Sequence, residues 1–518
     1  MPLKSIFNLK KWKKQQNNQE HSTKKFNSLK ISKNLNVNLD NLKNMLDDPS
    51  DLVIREFIIR GTNHQAAIVY IDGLVDSRLV HNDILKTMLV EHDYLPESSA
   101  ALFNVLQEEI ISATDIQVGD TLDDVSNAIM YGKTIFYLDG VDQVLLMDTA
   151  DWESRSIDEP TTETVIRGPK EGFVENVQTN MMLIRRYIRD QNLRFKDFKI
   201  GRRSKSTLFL AYIDDIIHPD LVKEVTRRLE TIDMDAALES GYIEQWIEDS
   251  FLSPFPQTLN SERPDKVANA LLRGKFVIIL DGTPFALIAP VEIGFLMDAP
   301  EDYYERWMIG SLLRFLRYMA AFLAIFLPGI YIALVSYHQG MIPTDLAFSI
   351  AGTRETVPFN AFIEAMAMGA TMELLREAGA RLPTAVGQTI GIVGGLVIGE
   401  AAVQAGIVSP IMVIVVALTA IASFSIPSYS VVIAFRIIRF GLMIMGAFLG
   451  LFGLILGYIM INIHVVHLKS FGVPYTAPFS PTFWQDWKDL ILRMPIPLLT
   501  KRPQHLQPID DQSVDRRD

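Results

Sequence analysis

The run "MELLREAGARLPTAVGQTIGIVGGLVIGEAAV" (372–403) sets four charges, Glu373, Arg376, Glu377 and Arg381, against a glycine-rich apolar stretch. That stretch carries Gln388 and, near its far end, Glu400. Charge inside a segment apolar enough for a bilayer is costly unless it faces water, protein or a partner, so such a residue marks a functional position by default. The preceding segment, "FNAFIEAMAMGATMELLREAG" (359–379), adds Glu364, Met368 and Thr371. As a helix it is too polar to face lipid. Its spacing allows Glu373 to pair with Arg376 and Glu377 with Arg381, at i,i+3 and i,i+4. Glu364 has no arginine on its own helix within four residues. The expected ion path is therefore Glu364, Met368, Thr371, Gln388 and Glu400, with Glu373, Arg376, Glu377 and Arg381 as structural ion pairs. A ring of Glu364 or Glu373 from several copies would favour cations. Gly387, Gly391, Gly395 and Gly399 recur every four residues and line one helix face, the pattern that lets membrane helices or copies of the chain approach closely.

Other chemistry is poorly supported. The chain has no cysteine, which removes disulfides, thiolate metal sites and thiol nucleophiles. It has no GxSxG elbow, HExxH helix, phosphate loop or GxGxxG fingerprint. Asp139 and Asp281 stand at strand ends, but Asp-Gly is ordinary turn chemistry. No catalytic, metal-binding or cofactor-binding residue is expected, so the chain does not read as an enzyme. A net charge of -12 argues against a nucleic-acid partner.

These groups need elements to hold them. A chain of 518 residues exceeds one ordinary core. Residues 1–48 read as a basic disordered arm, with nine lysines among the first 34 residues. Residues 50–152 and 195–298 read as two similar α/β subdomains. At a constant offset of 142, Tyr70-Ile71-Asp72 recurs as Tyr212-Ile213-Asp214, and Leu138-Asp139-Gly140 as Leu280-Asp281-Gly282. Gly132-Lys133 likewise recurs as Gly274-Lys275, which implies an internal duplication. Residues 153–194 read as a charged helical linker, starting near Pro169 and ending in Arg185, Arg186 and Arg189.

After Pro300 the composition shifts to an α-helical polytopic membrane domain. Residues 299–317 read as a helix lying in the interface. Residues 318–468 hold apolar segments at 318–337, 384–407, 409–427 and 441–463, each near the length that crosses a ~30 Å core. Arg306, Arg314 and Arg317 before the first segment place the N-terminal region in the cytosol. Lys469, Arg493, Lys501 and Arg502 place the tail, 469–518, on the same side. An even number of crossings follows if 359–379 does not cross fully. Arg436 and Arg439 then fall on the outer side.

Three stretches, "EPTTETVIRGPKEGF" (159–173), "PEDYYER" (300–306) and "ELLREAGARLPTAVGQTIGIVGGLVIGEAAVQAGIVSP" (373–410), closely resemble the A subunits of the GerA-type spore germination receptors. The resemblance covers about residues 50–505, with Lys170 and Asn360 as local departures. It implies a multi-pass protein of the inner spore membrane and two partners, a multi-pass B-type subunit and a lipoprotein C-type subunit. It also implies a homo-oligomer in the lipid bilayer that acts as a germinant-gated channel for monovalent cations. A secondary transporter using Glu400, and a non-conducting scaffold, are the alternatives.

Overall fold

The computed structural model describes residues 29–90, 95–110, 116–150, 159–160, 162–381, 395 and 397–514. The chain divides into two compact units: Met1–Glu248 with Asn260–Pro290 and Leu499–Asp518, and Asp249–Leu259 with Val291–Leu498.

The first unit contains two five-stranded sheets. In the first copy, helix α1 (Leu35–Leu46) precedes β1 (Leu52–Ile58), β2 (Gln65–Ile71), β3 (Ile116–Gly119), α2 (Leu122–Met130), β4 (Lys133–Leu138) and β5 (Val144–Asp148). In the second, α3 (Val177–Tyr187) precedes β6 (Leu193–Ile200), β7 (Ser206–Ile213), β8 (Leu259–Ser261), α4 (Pro264–Leu272), β9 (Phe276–Leu280) and β10 (Ala286–Ala289). The strand orders are β1-β2-β4-β5-β3 and β6-β7-β9-β10-β8. Registers repeat as well: Ala66 faces Leu138 where Leu208 faces Leu280, and Ile135 faces Leu146 where Val277 faces Ile288. These neighbours are antiparallel, and strands such as "FVIIL" (276–280) are wholly buried.

The duplicated unit begins earlier than the strand motifs suggest. Asn34 caps α1 and Asn176 caps α3. The Asn38 amide bonds the backbone of Ser32 at 2.8 and 2.6 Å, and Asn180 bonds Val174 at the same distances. Gly140 N donates to Lys33 O and Gly282 N to Glu175 O, both at 2.8 Å. The arm and linker boundaries are thereby corrected. Residues 35–46 are the first helix of one copy, and 177–187 the buried first helix of the other. Helix α3 starts at Val177 rather than near Pro169, because the Asn176 side chain satisfies the free N–H groups of Gln178 and Thr179. Asp139 and Asp281 do more than turn the chain: their carboxylates accept from Leu35 N at 3.0 Å and Val177 N at 3.3 Å, favoured by the helix N-terminus.

The second unit is helical: α5 (Trp307–Tyr337), α6 (Thr344–Arg354), α7 (Ala361–Ala380), α8 (Pro410–Phe424) and α9 (Tyr429–His467). Helix α5 runs unbroken through 317–318 and contains Pro328. No separate interfacial helix 299–317 precedes it, because Arg314 and Arg317 turn inward onto Asp302.

Helix α9 is not one rod. Gly450 has φ 62° and ψ -145°, which breaks it in two. A Cβ at Gly453 would strike Met445 O, and one at Gly457 would strike the Leu442 side chain. In a straight helix at 1.5 Å per residue those pairs would be roughly 12 and 22 Å apart. The halves therefore fold back as an antiparallel hairpin, with Leu442 and Leu454 in one apolar cluster. The apolar segment 441–463 thus holds the turn of a hairpin and not a single span. Gly329 and Gly446 permit the close approach of α5 to the hairpin, since a Cβ at Gly446 would sit 3.0 Å from Gly329 O.

The tail beyond residue 468 is packed. Lys469–Ser470 pairs with Val473–Pro474, and farther on Ile509 N donates to Ile216 O and Arg502 Nε to Leu272 O, both at 2.8 Å.

Candidate functional site: charged groups among the long helices

The base of α5 is fixed by a charged node built from "PEDYYER". Asp302, fully buried, accepts from Arg314 Nε at 2.9 Å and from Arg317 Nη1 and Nη2 at 2.9 and 3.1 Å. Arg314 also reaches Asp489 Oδ1 at 2.9 Å and the Tyr303 hydroxyl at 2.9 Å. Burial opposes ionisation of Asp302, but the bonds and charges of Arg317 and Arg314 outweigh it and hold its carboxyl below the ordinary range. Spacing in the sequence offered no sign of this node, because Asp489 lies 175 residues from Arg314.

Within the α/β unit the stretch 159–173 is a clasp. Glu163 accepts from Lys266 Nζ at 2.6 Å and from Ser261 Oγ at 2.5 Å. Arg263 donates to Glu163 O, to Pro169 O and to both carboxylate oxygens of Asp265. Side chains at the start of α4 thereby hold the loop, while its tip residue Ile166 is 95% exposed.

Higher along the helical unit the carboxylates part company. Glu364 does not face an open path. Its side chain is fully buried, Arg354 Nη2 of α6 lies 2.9 Å from it, and Ser409 N and Oγ both donate to it at 2.9 Å. The missing arginine comes from the previous helix, which intra-helix spacing could not show. Met368 is also buried, packed in an apolar cluster with Tyr331, Met412 and Val415. Thr371 Oγ1 donates back to Ala367 O at 2.9 Å.

Glu373 pairs more widely than expected. Arg376 lies at 3.5 Å, Arg436 at 3.5 Å and Arg439 at 2.8 Å. The last two come from the first half of α9. The cavity beside Glu373, Arg376 and Arg439 is also lined by Pro328, Gly369, Met372 and Thr419, so it lies at the level of Pro328 on α5. Glu377 and Arg381 pair at 2.6 Å on the exposed end of α7.

Gly387, Gln388 and Gly391 lie outside the described residues. Of the remaining ladder, a Cβ at Gly399 would meet Val413 at 3.3 Å, whereas one at Gly395 would meet nothing within 4 Å. Among the described residues, no helix packs against Gly395. Glu400 is exposed and accepts from Gln404 Nε2 at 3.1 Å.

Known proteins match most of the chain. Residues 40–505 match the family model described as Bacillus/Clostridium GerA spore germination protein. Spore germination protein GerLA of Bacillus cereus is 48% identical over 482 residues, covering 93% of this chain and 97% of that protein. Spore germination protein B1 of Bacillus subtilis is 42% identical, covering 93% and 99%. The crystal structure of the N-terminal domain of the A subunit of the Bacillus megaterium spore germinant receptor GerK3 is 34% identical, covering 51% of this chain and 96% of that one, at a TM-score of 0.40.

Proposed function

The chain belongs to the Bacillus/Clostridium GerA family of spore germination proteins, and from that premise we propose that it is a multi-pass A-type subunit that conducts ions as an oligomer. The observation that carries this reading is the family match across both units, including the helical one. Two described helices, Trp307–Tyr337 and Tyr429–His467, are long and apolar enough to cross a bilayer. With α9 counted as two arms, the basic groups on both sides of the helical unit fit one cytosolic face. Helix α7 runs antiparallel to the first arm of α9, with Gly369 against Phe440 and Glu373 against Arg439, and so counts as a full crossing in this scheme. An even number of crossings follows if the apolar segment 384–407 read from the sequence also crosses. The setting is the inner spore membrane, with a B-type multi-pass subunit and a C-type lipoprotein as partners.

Inside one protomer the carboxylates of α7 are already paired, so the ion path runs between copies of the chain. The exposed Glu400 and the unpacked face at Gly395 border it, with Gln388 on the same segment. Exposed carboxylates repeated around an oligomer would attract monovalent cations.

Purified protein in planar bilayers tests this. Stepwise cation currents support a channel. Solute-coupled flux without steps would favour the transporter, and a silent but assembled oligomer would favour the scaffold. A cysteine at Thr353 should react with membrane-impermeant reagents from outside, and one at Asn63 should not.

A further inference from the structure

Three arginines converge on Glu373, and each guanidinium lies against an aromatic ring. Arg376 stacks over Phe424 at 5.5 Å, Arg436 over Tyr429 at 5.6 Å and Arg439 over Phe440 at 5.6 Å. The rings cover the guanidinium faces and leave the N–H edges for ligands. Few of those edges are used. Glu373 accepts from Arg376 at 3.5 Å and from Arg439 at 2.8 Å, and Arg436 Nε is buried without a hydrogen-bond partner among the described residues.

Charge is also out of balance. Three positive groups face one negative group, leaving two positive charges in excess. The other carboxylates of α7 are engaged elsewhere, Glu377 with Arg381 and Glu364 with Arg354. The sequence from 382 to 394 contains no acidic residue that could supply the balance. Partly buried charge of one sign demands a counter-charge, because desolvation is otherwise uncompensated.

We propose that Arg376 and Arg439, which line the cavity beside Glu373, bind a small monovalent anion there, with Arg436 adding positive charge from beside it. The small residues Gly369 and Thr419 on its wall leave room for a halide or nitrate-sized ion and not for a bulky one. A free inorganic ion and a lipid phosphate share the chemistry that guanidinium edges recognise. The cavity is small and bounded by residues of α5, α7, α8 and α9, which favours the small free ion. With or without that ion the cluster is a poor route for cations, so the site stands independently of whether the oligomer conducts.

The test uses the full chain in detergent, with sodium gluconate replaced stepwise by sodium chloride or nitrate at constant ionic strength. The unfolding temperature of the unaltered protein should rise and saturate. Arg376→Gln and Arg439→Gln should each weaken the apparent anion affinity at least tenfold, while Arg376→Lys, which keeps the charge, should hold it within a few-fold. If Arg439→Gln does not fold, the Gln and Lys variants at 376 carry the comparison. An equal response in the Arg376→Gln variant, or no response in the unaltered protein, overturns the proposal. Stabilisation by phosphatidylglycerol but by neither salt overturns the free-ion assignment.

Discussion

Both units bury arginines, and they treat them differently. In the α/β unit Arg185 binds Asp51 at 2.5 and 2.9 Å, and Arg263 binds Asp265 at 3.1 and 2.8 Å, while buried Arg194 donates to backbone carbonyls. Such pairs are balanced and bidentate, which fixes geometry. In the helical unit carboxylates are shared. Asp302 holds Arg314 and Arg317, and Glu373 holds three arginines. One carboxylate fastening several arginines links helices distant in sequence. At Glu373 it leaves positive charge over, whereas Asp298 and Asp489 balance the node around Arg314.

The comparison can be broken at its strongest point. Asp302→Asn removes the carboxylate that holds buried Arg317 and one of the three that hold Arg314, and should cost about 3–5 kcal/mol, read as loss of extractable protein or a large fall in unfolding temperature. Its pH dependence has a definite sign. Because the folded carboxyl lies below its ordinary value, its stabilisation is present above the usual carboxylate range and is lost as pH falls through the folded value. The gap between variant and unaltered protein should therefore narrow in acid.

A second substitution separates pairs from clusters. Asp51→Asn should cost about 3 kcal/mol, and replacing Asp51 and Arg185 together by Leu and Met should recover most of it. The matching double change at Glu373 and Arg439 should not recover, because Arg376 and Arg436 remain. Equal recovery at both sites would erase the distinction.

Asp215 sharpens the picture with the opposite sign. Burial, then repulsion from Asp190, pushes its carboxyl up to about 6, and its Oδ1 is buried without a hydrogen-bond partner. A raised folded value means that stability is fully present below the ordinary carboxylate value and declines as pH rises towards about 6. Asp215→Asn should therefore stabilise the protein by about 2 kcal/mol at pH 7.5 and change little at pH 4, measured by denaturant unfolding. The smallest effect belongs to the hairpin turn. Gly450→Ala should cost about 1–2 kcal/mol, since φ is positive and a Cβ would lie 2.8 Å from His338 Cε1. No loss in unfolding temperature would contradict the turn.

Much of the α/β unit was legible in its sequence, because the repeat kept one offset from Tyr70 to Gly140 and that offset matches the register of both sheets. The first helix of each copy was not assigned to it, 35–46 falling in the arm and 177–187 in the linker, because it is fixed by single side chains, Asn34 with Asn38 and Asn176 with Asn180, spaced too thinly to stand out. The helical unit was legible as composition but not as topology. A glycine in a glycine-rich apolar run does not announce a reversal, and Gly450 is distinguished only by its backbone angles. At the site, pairs within one helix such as Glu377 with Arg381 could be read from spacing. Arg354 with Glu364, and Arg439 with Glu373, join different helices, and no spacing rule reaches them.

The central claim is that carboxylates inside the protomer hold structure while the exposed Glu400 borders the ion path. Reversal potential across a planar bilayer under a potassium chloride gradient tests it most directly, comparing Glu364→Gln with Glu400→Gln. Glu364→Gln should lower the yield of assembled protein but leave the reversal potential of the surviving oligomers unchanged. Glu400→Gln should assemble normally and shift the potential towards zero as cation preference falls. A shifted potential in Glu364→Gln beside an unchanged one in Glu400→Gln would contradict the account.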